Sequence, residues 1–458
     1  MCTQGLYGPT MISMFNAAEE EGISCSWIGT IPVIYLRDPE IIRHVLVANS
    51  DCISRQGSNG RGPFGIMTRM TGEVPVTAEG ENWRRWRASL LKGFNRTQSL
   101  KNALPGIVAI ADRHVQRLLQ KKEGSDIRSD MEQLALDAAW YISLGVDDMS
   151  DSSAELLSIM SRYVELVGNP SHLWRHAVRN MISAKKFEEP DSVESKVGKD
   201  ISGFVETLVE KYSHLIDPEN ESDGQQVFNI LRQISKESGG TADCPITSDV
   251  LTQARQIFSL GHEAPTLVLF WSICELNLHP EIVTQLRGEL MKSGWDKENP
   301  DYHMLINLPH LDHFLNEILR VHPPISTTAR IVTNQFNLVT RSGKAVTLPE
   351  RTQIFSSVQL LHLDPNVWGS DADKFHPDRW GGLLPNSLES RCEYLPFLAG
   401  PRRCTSSNFV LIEMKAILAV LLSEADISIL DAASVTPKLG GVTRSTFPVE
   451  FQVKPYVS

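Results

Sequence analysis

The residues whose types and spacing suggest chemistry most directly lie in one octet, Phe397–Cys404 (FLAGPRRC). Cys404 stands just before the apolar run SNFVLIEMKAILAVLL, which predicts a long helix. A thiolate at this place gains from the partial positive charge of the helix start. Gly400 permits a tight turn and a close approach to a flat ligand, and Arg402 offers a fork of donors for a carboxylate. A lone cysteine is as often a buried structural residue, so the octet alone leaves both interpretations open.

Two further motifs place a pair of polar side chains about one helical turn apart. Glu317 and Arg320 share one face of the helix predicted for FLNEILRVHPP and are within reach of an ion pair. The more common alternative is an exposed pair of little energetic weight. Trp83 and Arg87 in WRRWR are likewise one helical turn apart. The alternative there is a solvated basic face above two core tryptophans.

A third motif, Gly261–Thr266 (GHEAPT), lies within a long helical segment at 246–278. Gly261 leaves space beside the helix, and Glu263 places a carboxylate there; the alternative for Glu263 is a carboxylate on the helix surface. Pro265 removes the backbone hydrogen bond to residue 261 and predicts a kink at that point.

Composition and charge exclude several classes of protein. The chain has 458 residues and a net charge of −11, which argues against a general nucleic-acid-binding role. Its seven cysteines are far apart, with no CxxC, so neither a disulfide framework nor a zinc site is predicted. The chain has no run of about eighteen apolar residues, so no transmembrane helix is predicted. The N-terminus has no signal-peptide pattern.

The pattern along the chain predicts one domain, 1–458, that is mainly α with a smaller β-rich part. Three-and-four spacing of apolar residues predicts a helical body over 80–321, with a further helix at 404–423. Residues rich in β-branched side chains and turn signals predict β-rich parts near 23–36, 330–362 and 427–455.

These motifs together resemble the cytochrome P-450 (haem-thiolate monooxygenase) family, in its eukaryotic microsomal-like form. The octet is similar to the family's haem-binding loop FxxGxRxC, although the glycine usual two residues after the cysteine is Ser406 here. Phe409 and Glu413 stand where the family commonly has the same residues. The resemblance implies the P-450 fold and haem b (iron protoporphyrin IX) as the cofactor, with Cys404 as the axial ligand of the haem iron.

The resemblance also assigns roles to the other motifs. It implies a buried structural network of Glu317, Arg320 and Arg379, where Arg379 comes from the segment FHPDRW. It implies haem contacts from Phe397, Gly400, Arg402, Arg330, Trp83 and Arg87, the last four as donors to the haem propionates.

On the oxygen side of the haem, the resemblance implies a catalytic group of Gly261, Glu263, Ala264 and Thr266. Gly261 would make space for dioxygen, and Glu263 matches the family's acidic residue. Ala264 replaces the threonine whose hydroxyl usually helps to deliver protons. Thr266 is a weaker candidate for that role, because it lies about 200° round the helix from Ala264.

The implied function is a monooxygenase that inserts one oxygen atom from dioxygen into a medium-sized, largely apolar organic substrate, as in secondary metabolism. By position, its pocket would draw on 62–72, Phe258, Leu260, 325–328 and 442–446. Without the usual threonine, the alternatives are an enzyme that rearranges, dehydrates or oxidatively couples its substrate, and a non-catalytic haem-binding relative.

Two expectations concern partners and location. Electrons would come from an NADPH-dependent reductase docked on the Cys404 side, at a basic patch of Arg84, Arg85, Lys92, Arg96 and Arg403. Family members of this kind carry an N-terminal membrane anchor, which this chain is expected to lack. The expected location is the cytosolic face of the endoplasmic reticulum membrane if an anchor was removed, and the cytoplasm otherwise.

Overall fold

A long helix interrupted in its middle organises the helical part of the protein. The computed structural model describes residues 9–28, 31–55, 65–147, 149–168, 191–219, 229–438, 444–445 and 448–456. The helices are α1 (Pro9–Ala17), α2 (Pro39–Arg43), α3 (Gly65–Thr71), α4 (Gly80–Phe94), α5 (Thr97–Lys121), α6 (Ile127–Leu144), α7 (Ser150–Gly168), α8 (Ser192–Lys211), α9 (Ser213–Ile216), α10 (Ile230–Glu237), α11 (Ser248–Leu260), α12 (Glu263–Leu278), α13 (Pro280–Ser293), α14 (Tyr302–Leu305), α15 (Pro309–Val321), α16 (Val358–His362), α17 (Pro365–Trp368), α18 (Pro385–Ser390) and α19 (Ser407–Glu424).

The β-rich part is built from short strands in separate sheets. The strands are β1 (Ile23–Ile28), β2 (Ile31–Leu36), β3 (Ile53–Ser54), β4 (Glu123–Gly124), β5 (Thr327–Val332), β6 (Phe336–Val339), β7 (Ala345–Leu348), β8 (Gln353–Ser357), β9 (Ala425–Ile429), β10 (Pro437–Lys438), β11 (Arg444–Ser445) and β12 (Phe451–Pro455). The largest sheet has the order β1-β2-β8-β5-β3, in which only β2 and β8 run parallel. The prediction of a mainly helical protein with a smaller β-rich part is confirmed.

The long helical segment is divided into α11 and α12 at residues 261–262, four residues before Pro265. Proline has no N–H to donate to the carbonyl of Gly261, so the predicted interruption is confirmed at this position. The stretch Ser248–Leu278 has the length and hydropathy of a membrane span, but 78% of its apolar window is buried inside the protein. It is therefore packed as the central helix of the core.

A buried network of charges ties α15 to the segment that follows α17. Arg320 donates to both carboxylate oxygens of Glu317, over 2.8 and 2.7 Å, and both side chains are fully buried. Arg379 donates to the same carboxylate from 3.1 Å, and the indole of Trp380 donates from 2.9 Å. Arg320 also donates to the backbone carbonyl of Ala372. Since nearly every polar atom of the Glu317–Arg320 pair has a partner, these charges can lie in the core.

His362 connects this network to the chain that precedes Cys404. Its Nε2 accepts a hydrogen bond from the backbone N–H of Leu395 over 2.7 Å, so the ring proton is on Nδ1, 3.2 Å from the carbonyl of Arg320. Burial, and then the charge of Arg320, lower the pKa of His362 to about 3. The imidazole therefore stays neutral and holds a fixed distance between α15 and the Cys404 loop.

Replacing Glu317 with glutamine should destabilise the protein strongly. The change removes a carboxylate that both Arg320 and Arg379 contact. Arg379 keeps its ion pair with Asp371, whereas the fully buried Arg320 is left without a counter-charge among the described residues. We expect a loss of about 3–5 kcal/mol in the free energy of unfolding, measured by urea denaturation. Glu393→Gln, which breaks an exposed pair with Arg391, is the control and should change stability little. Equal effects of the two substitutions would contradict a structural role for the network.

Candidate functional site

The loop Phe397–Cys404, which leads into α19, carries the cysteine of the site. The backbone N–H of Cys404 donates to the carbonyl of Phe397 over 2.9 Å and closes the loop. Gly400 has φ of +70°, and a side chain there would overlap the carbonyl oxygen of Leu46. The close approach that requires glycine at 400 is thus made to the protein backbone. Gly400 does not line the neighbouring cavity, whereas Phe397, Arg402 and Cys404 do.

A cavity of about 320 Å³ lies over this loop, a volume typical of small-molecule sites. Cys404 is exposed toward it, and its wall combines apolar side chains with a few charged ones. The loop and α19 form one side, and the interrupted helix α11–α12 forms the opposite side through Leu260, Gly261 and Ala264. A ligand in this space would lie between the sulfur and the helix break.

Ser406, where a glycine was expected from the resemblance, is accommodated without strain. Its backbone has φ −105° and ψ 16°, which any L-residue can adopt. It precedes α19 in the N-cap position, yet its side chain makes no capping hydrogen bond. Its hydroxyl oxygen lies 3.5 Å from the sulfur of Cys404.

Four arginines, which we call the arginine cradle, converge at one end of the cavity: Arg55, Arg87, Arg330 and Arg402. Glu79 is the carboxylate among them. Its oxygens accept from the hydroxyl of Ser54, the backbone N–H of Arg55 and the guanidinium of Arg402. Among the described residues, one carboxylate thus faces four guanidinium groups, so this part of the cradle has an excess of positive charge.

The pKa values of two cradle arginines are lowered by burial and by the charges of neighbouring arginines. Burial lowers the pKa of Arg55 well below its usual value, and the charges of Arg330 and Arg402 lower it further. Burial, and then Arg402, lower the pKa of Arg330 to about 10. A bound anion would reverse these shifts, because it would stabilise the charged form of each group.

Three of the donors predicted for haem carboxylates surround the cradle end of the cavity. Trp83, Arg87 and Arg402 all line it. The guanidinium of Arg402 stacks on the ring of Trp83 at 4.2 Å, and its Nη1 is buried with no hydrogen-bond partner among the described residues. Arg87 donates to the carbonyl of Arg403 over 2.7 Å, beside Cys404.

Arg330 lies behind this wall. It is 3% exposed, and its Nη1 donates to the hydroxyl of Thr328 and the carbonyl of Ala329. It contributes charge to the cradle through Arg55, but it does not line the cavity. Its predicted contact with a haem carboxylate stays a prediction.

The residues present fit a haem group. A thiol that faces an apolar cavity suits an iron ligand. At the other end, the unsatisfied Nη1 of Arg402 and the excess charge of the cradle suit the two carboxylates of a porphyrin. Arg402 and Arg87 would hold those carboxylates, and Cys404 would bind the iron.

The opposite wall brings together two of the four predicted catalytic residues. Gly261 and Ala264 line the cavity, and Pro265 lies beside them. Glu263 is half-buried at the start of α12, where its carboxylate lies within 4.8 Å of ligand atoms of His262 and Glu132. It does not line the cavity.

Thr266, the weaker candidate for the role of the missing threonine, does not line the cavity. It is fully buried, and its hydroxyl donates to the carbonyl of His262 over 2.8 Å. A helical hydroxyl bound in this way points back along its own helix. The hydroxyl of Thr266 is therefore held by its own helix, and its role in proton delivery stays a prediction.

Of the pocket residues expected by position, some line the cavity and others pack in the core. Leu260 and Ile325 line the cavity. Phe258 was expected to do so but packs edge-on against Trp140 at 4.6 Å, inside the core. Phe258 and Leu260 are both apolar residues near the end of α11, and the sequence does not mark which of the two faces the cavity. Residues 62–64, 442–443 and 446 of the expected pocket lie outside the described residues.

The expected basic docking patch is partly neutralised. Arg85 pairs with Asp249, Lys92 with Glu237, and Arg403 with Glu389. Arg84 and Arg96 are exposed. The face beside Cys404 is thus a mixture of ion pairs and accessible cations.

Sequence reasoning missed three residues of the site: Arg55, Glu79 and Gln256. Gln256 lies on α11 and lines the cavity, and its Oε1 accepts from the backbone N–H of Val76. Each of these contacts joins residues far apart in the chain, so no local motif indicates it.

The sequence of this chain is similar to those of known proteins. The model of the cytochrome P-450 family matches residues 8–454. Secologanin synthase 2 of Catharanthus roseus is 26% identical over 416 residues, which cover 87% of this chain and 74% of the relative. Cytokinin hydroxylase of Arabidopsis thaliana is 23% identical over 94% of this chain and 80% of its own length. Echinocystic acid 23-monooxygenase of Saponaria officinalis is 24% identical over 88% and 76%, respectively.

Glu413 should make stability fall as pH rises. It is 3% exposed on the cavity wall, and burial raises its pKa to about 8. The folded protein therefore keeps a proton that the unfolded chain releases above its ordinary pKa of about 4.3. Between those values we expect a loss of about 1.4 kcal/mol per pH unit from this group. Urea denaturation across that range should show a shallower decline for Glu413→Gln than for the wild type or the exposed control Glu81→Gln. The same decline in all three proteins would contradict the prediction.

Arg87→Ala should weaken retention of haem. A charge-assisted hydrogen bond is worth about 1.5–3 kcal/mol, so transfer of haem to apomyoglobin should become about 10- to 100-fold faster. Arg84→Ala, on the same helix but exposed, is the matched control and should leave the transfer rate unchanged. Equal rates for the two variants would contradict a role for Arg87 in holding the haem.

Proposed function

Because the chain belongs to the cytochrome P-450 family, whose members are haem-dependent monooxygenases, we propose that it oxidises a medium-sized, largely apolar molecule that already carries an oxygen atom. The proposal rests chiefly on one observation: the sulfur of Cys404 faces an apolar cavity whose opposite wall is the broken helix. We propose haem b as the cofactor, since the cradle suits a porphyrin with two free carboxylates.

The wall near the helix break supports the substrate class. The apolar side chains there are Pro75, Ile257, Leu260 and Ile325. Gln256 is the polar exception on this helix. Because a backbone N–H can only donate, the bond from Val76 fixes the carboxamide oxygen of Gln256 as its acceptor. The amide NH₂ has no partner among the described residues, so it favours a substrate with a carbonyl, hydroxyl or carboxylate oxygen.

Each part of the cavity has a distinct role in this reaction. When bound, the haem supplies activation of dioxygen and insertion of one oxygen atom into a C–H bond. Cys404 binds the iron through a strongly donating thiolate. Arg87 and Arg402 orient the cofactor by its carboxylates, and the apolar wall excludes water from the substrate. Glu263 holds a carboxylate at the surface side of the helix break, from which protons can enter.

Electrons would come from an NADPH-dependent reductase. The accessible cations Arg84 and Arg96 lie on α4 and just after it, on the Cys404 side. They support docking of a partner with an acidic face. The existing ion pairs of Arg85 and Lys92 limit the strength of this attraction.

Labelled dioxygen tests the proposed reaction. The purified protein, with an NADPH-dependent reductase, would be screened against a panel of medium-sized, largely apolar molecules that each carry an oxygen atom. We expect a product with one labelled oxygen atom, formed only with NADPH. A panel in which products form without dioxygen or NADPH would overturn the proposal.

A second candidate function, rearrangement or dehydration of an oxygenated substrate, is favoured by Ala264. This residue lines the cavity without a hydroxyl, and Thr266 is committed to its own helix. Ala264→Thr separates the two functions. For a monooxygenase, the restored hydroxyl should raise the amount of product formed per NADPH and lower the rate of peroxide release, because it helps to deliver protons. For an isomerase or dehydratase, turnover should need no NADPH in either protein.

A further inference from the structure

Ser406 is the residue at which this chain departs from the usual haem-binding loop. We propose that its hydroxyl donates a hydrogen bond to the Cys404 thiolate and weakens the thiolate's donation of electrons to the haem iron. The inference rests on the proposed function, because it takes Cys404 as the iron ligand. Ser406 acts through Cys404, so it is a positioning residue.

The direction of the hydrogen bond follows from chemistry. The hydroxyl oxygen and the sulfur are 3.5 Å apart, a normal separation for a bond to sulfur. A thiolate has no proton, so only the serine can donate. Both residues line the same cavity, and the negative charge of the acceptor strengthens the bond.

The ordinary roles of a serine at this position are not used. Ser406 is the N-cap of α19, where a serine usually accepts from a backbone N–H of the first turn. Here the side chain makes no such bond. The backbone is held independently, because the carbonyl of Ser406 accepts from Val410 over 2.9 Å. With φ of −105°, the position requires no glycine, so the hydroxyl can be removed without changing the loop.

The surroundings of the sulfur act in the same direction. The guanidinium of Arg87 lies beside the sulfur, where it donates to the carbonyl of Arg403. The side chain of Arg403 is directed to Glu389 and Ser407. Ser406 is therefore the side chain among the described residues with a hydrogen bond to this sulfur.

A hydrogen bond to a ligand thiolate removes negative charge from the metal and favours its reduced form. Losing that bond should make the iron harder to reduce. For Ser406→Ala we expect the reduction equilibrium to shift about tenfold toward the ferric state, which is 59 mV for one electron. The Soret band of the reduced carbon monoxide complex should move as well, because the ligand becomes a stronger donor.

The experiment is a redox titration of the haem-loaded protein in four variants. Ser406→Ala and Ser406→Gly remove the hydroxyl, and Ser406→Thr keeps it. Thr405→Val is the matched control, since it removes the neighbouring hydroxyl on the same cavity wall. We expect lower potentials for the alanine and glycine variants and wild-type values for the threonine and valine variants.

Two results would overturn the inference in distinguishable ways. If the wild type shows the red-shifted carbon monoxide band but the alanine and glycine variants keep its potential, the hydroxyl does not tune the thiolate, and the proposed function stands. If the folded wild type shows no such band, Cys404 does not bind haem, and the proposed function fails together with the inference.

Discussion

The buried carboxylate of Glu317 is the interaction on which the geometry of the site depends. It accepts from the side chains of Arg320, Arg379 and Trp380 and from the backbone N–H of His376. Through Arg320 and the neutral ring of His362, this network fixes the backbone at Leu395, where the Cys404 loop begins. Because the charge of Glu317 must be paired in the core, this network sets the position of the loop that carries the Cys404 sulfur.

The cavity combines an apolar environment with a strongly cationic one. Its apolar walls, formed by α4, α11, α12 and α19, exclude water. Its cradle end gathers guanidinium groups, and burial, followed by their mutual repulsion, lowers the pKa of Arg55 and Arg330. A flat apolar ring with carboxylates at one edge satisfies both parts, because the ring fills the apolar space and the carboxylates neutralise the cradle. Part of the protein's stability therefore depends on its ligand.

The parts of the site that are close together in sequence could be predicted, and the parts joined only by folding could not. The Cys404 octet, the Glu317–Arg320 pair and the interruption before Pro265 are each carried by a short segment with a physical signature. By chemistry alone, however, the octet left a structural cysteine as an equal alternative, and the family resemblance decided it. Glu79 reaches Arg402 across 323 positions of the chain, so neither it nor Arg55 had a local signal. Gly400 was predicted for its conformational freedom, but the backbone of Leu46 that a side chain there would meet has no local signal, because only the folded chain brings the two together.

The measurement that tests the central claim most directly is the carbon monoxide difference spectrum of the reduced protein, recorded for the wild type and Cys404→Ser. We expect a strongly red-shifted Soret band in the wild type, because a thiolate ligand donates electrons to the iron. The band should be lost in the serine variant, whose side chain offers a much weaker donor. A folded wild-type protein without that band, or a serine variant that retains it, would contradict the assignment of Cys404 as the haem ligand.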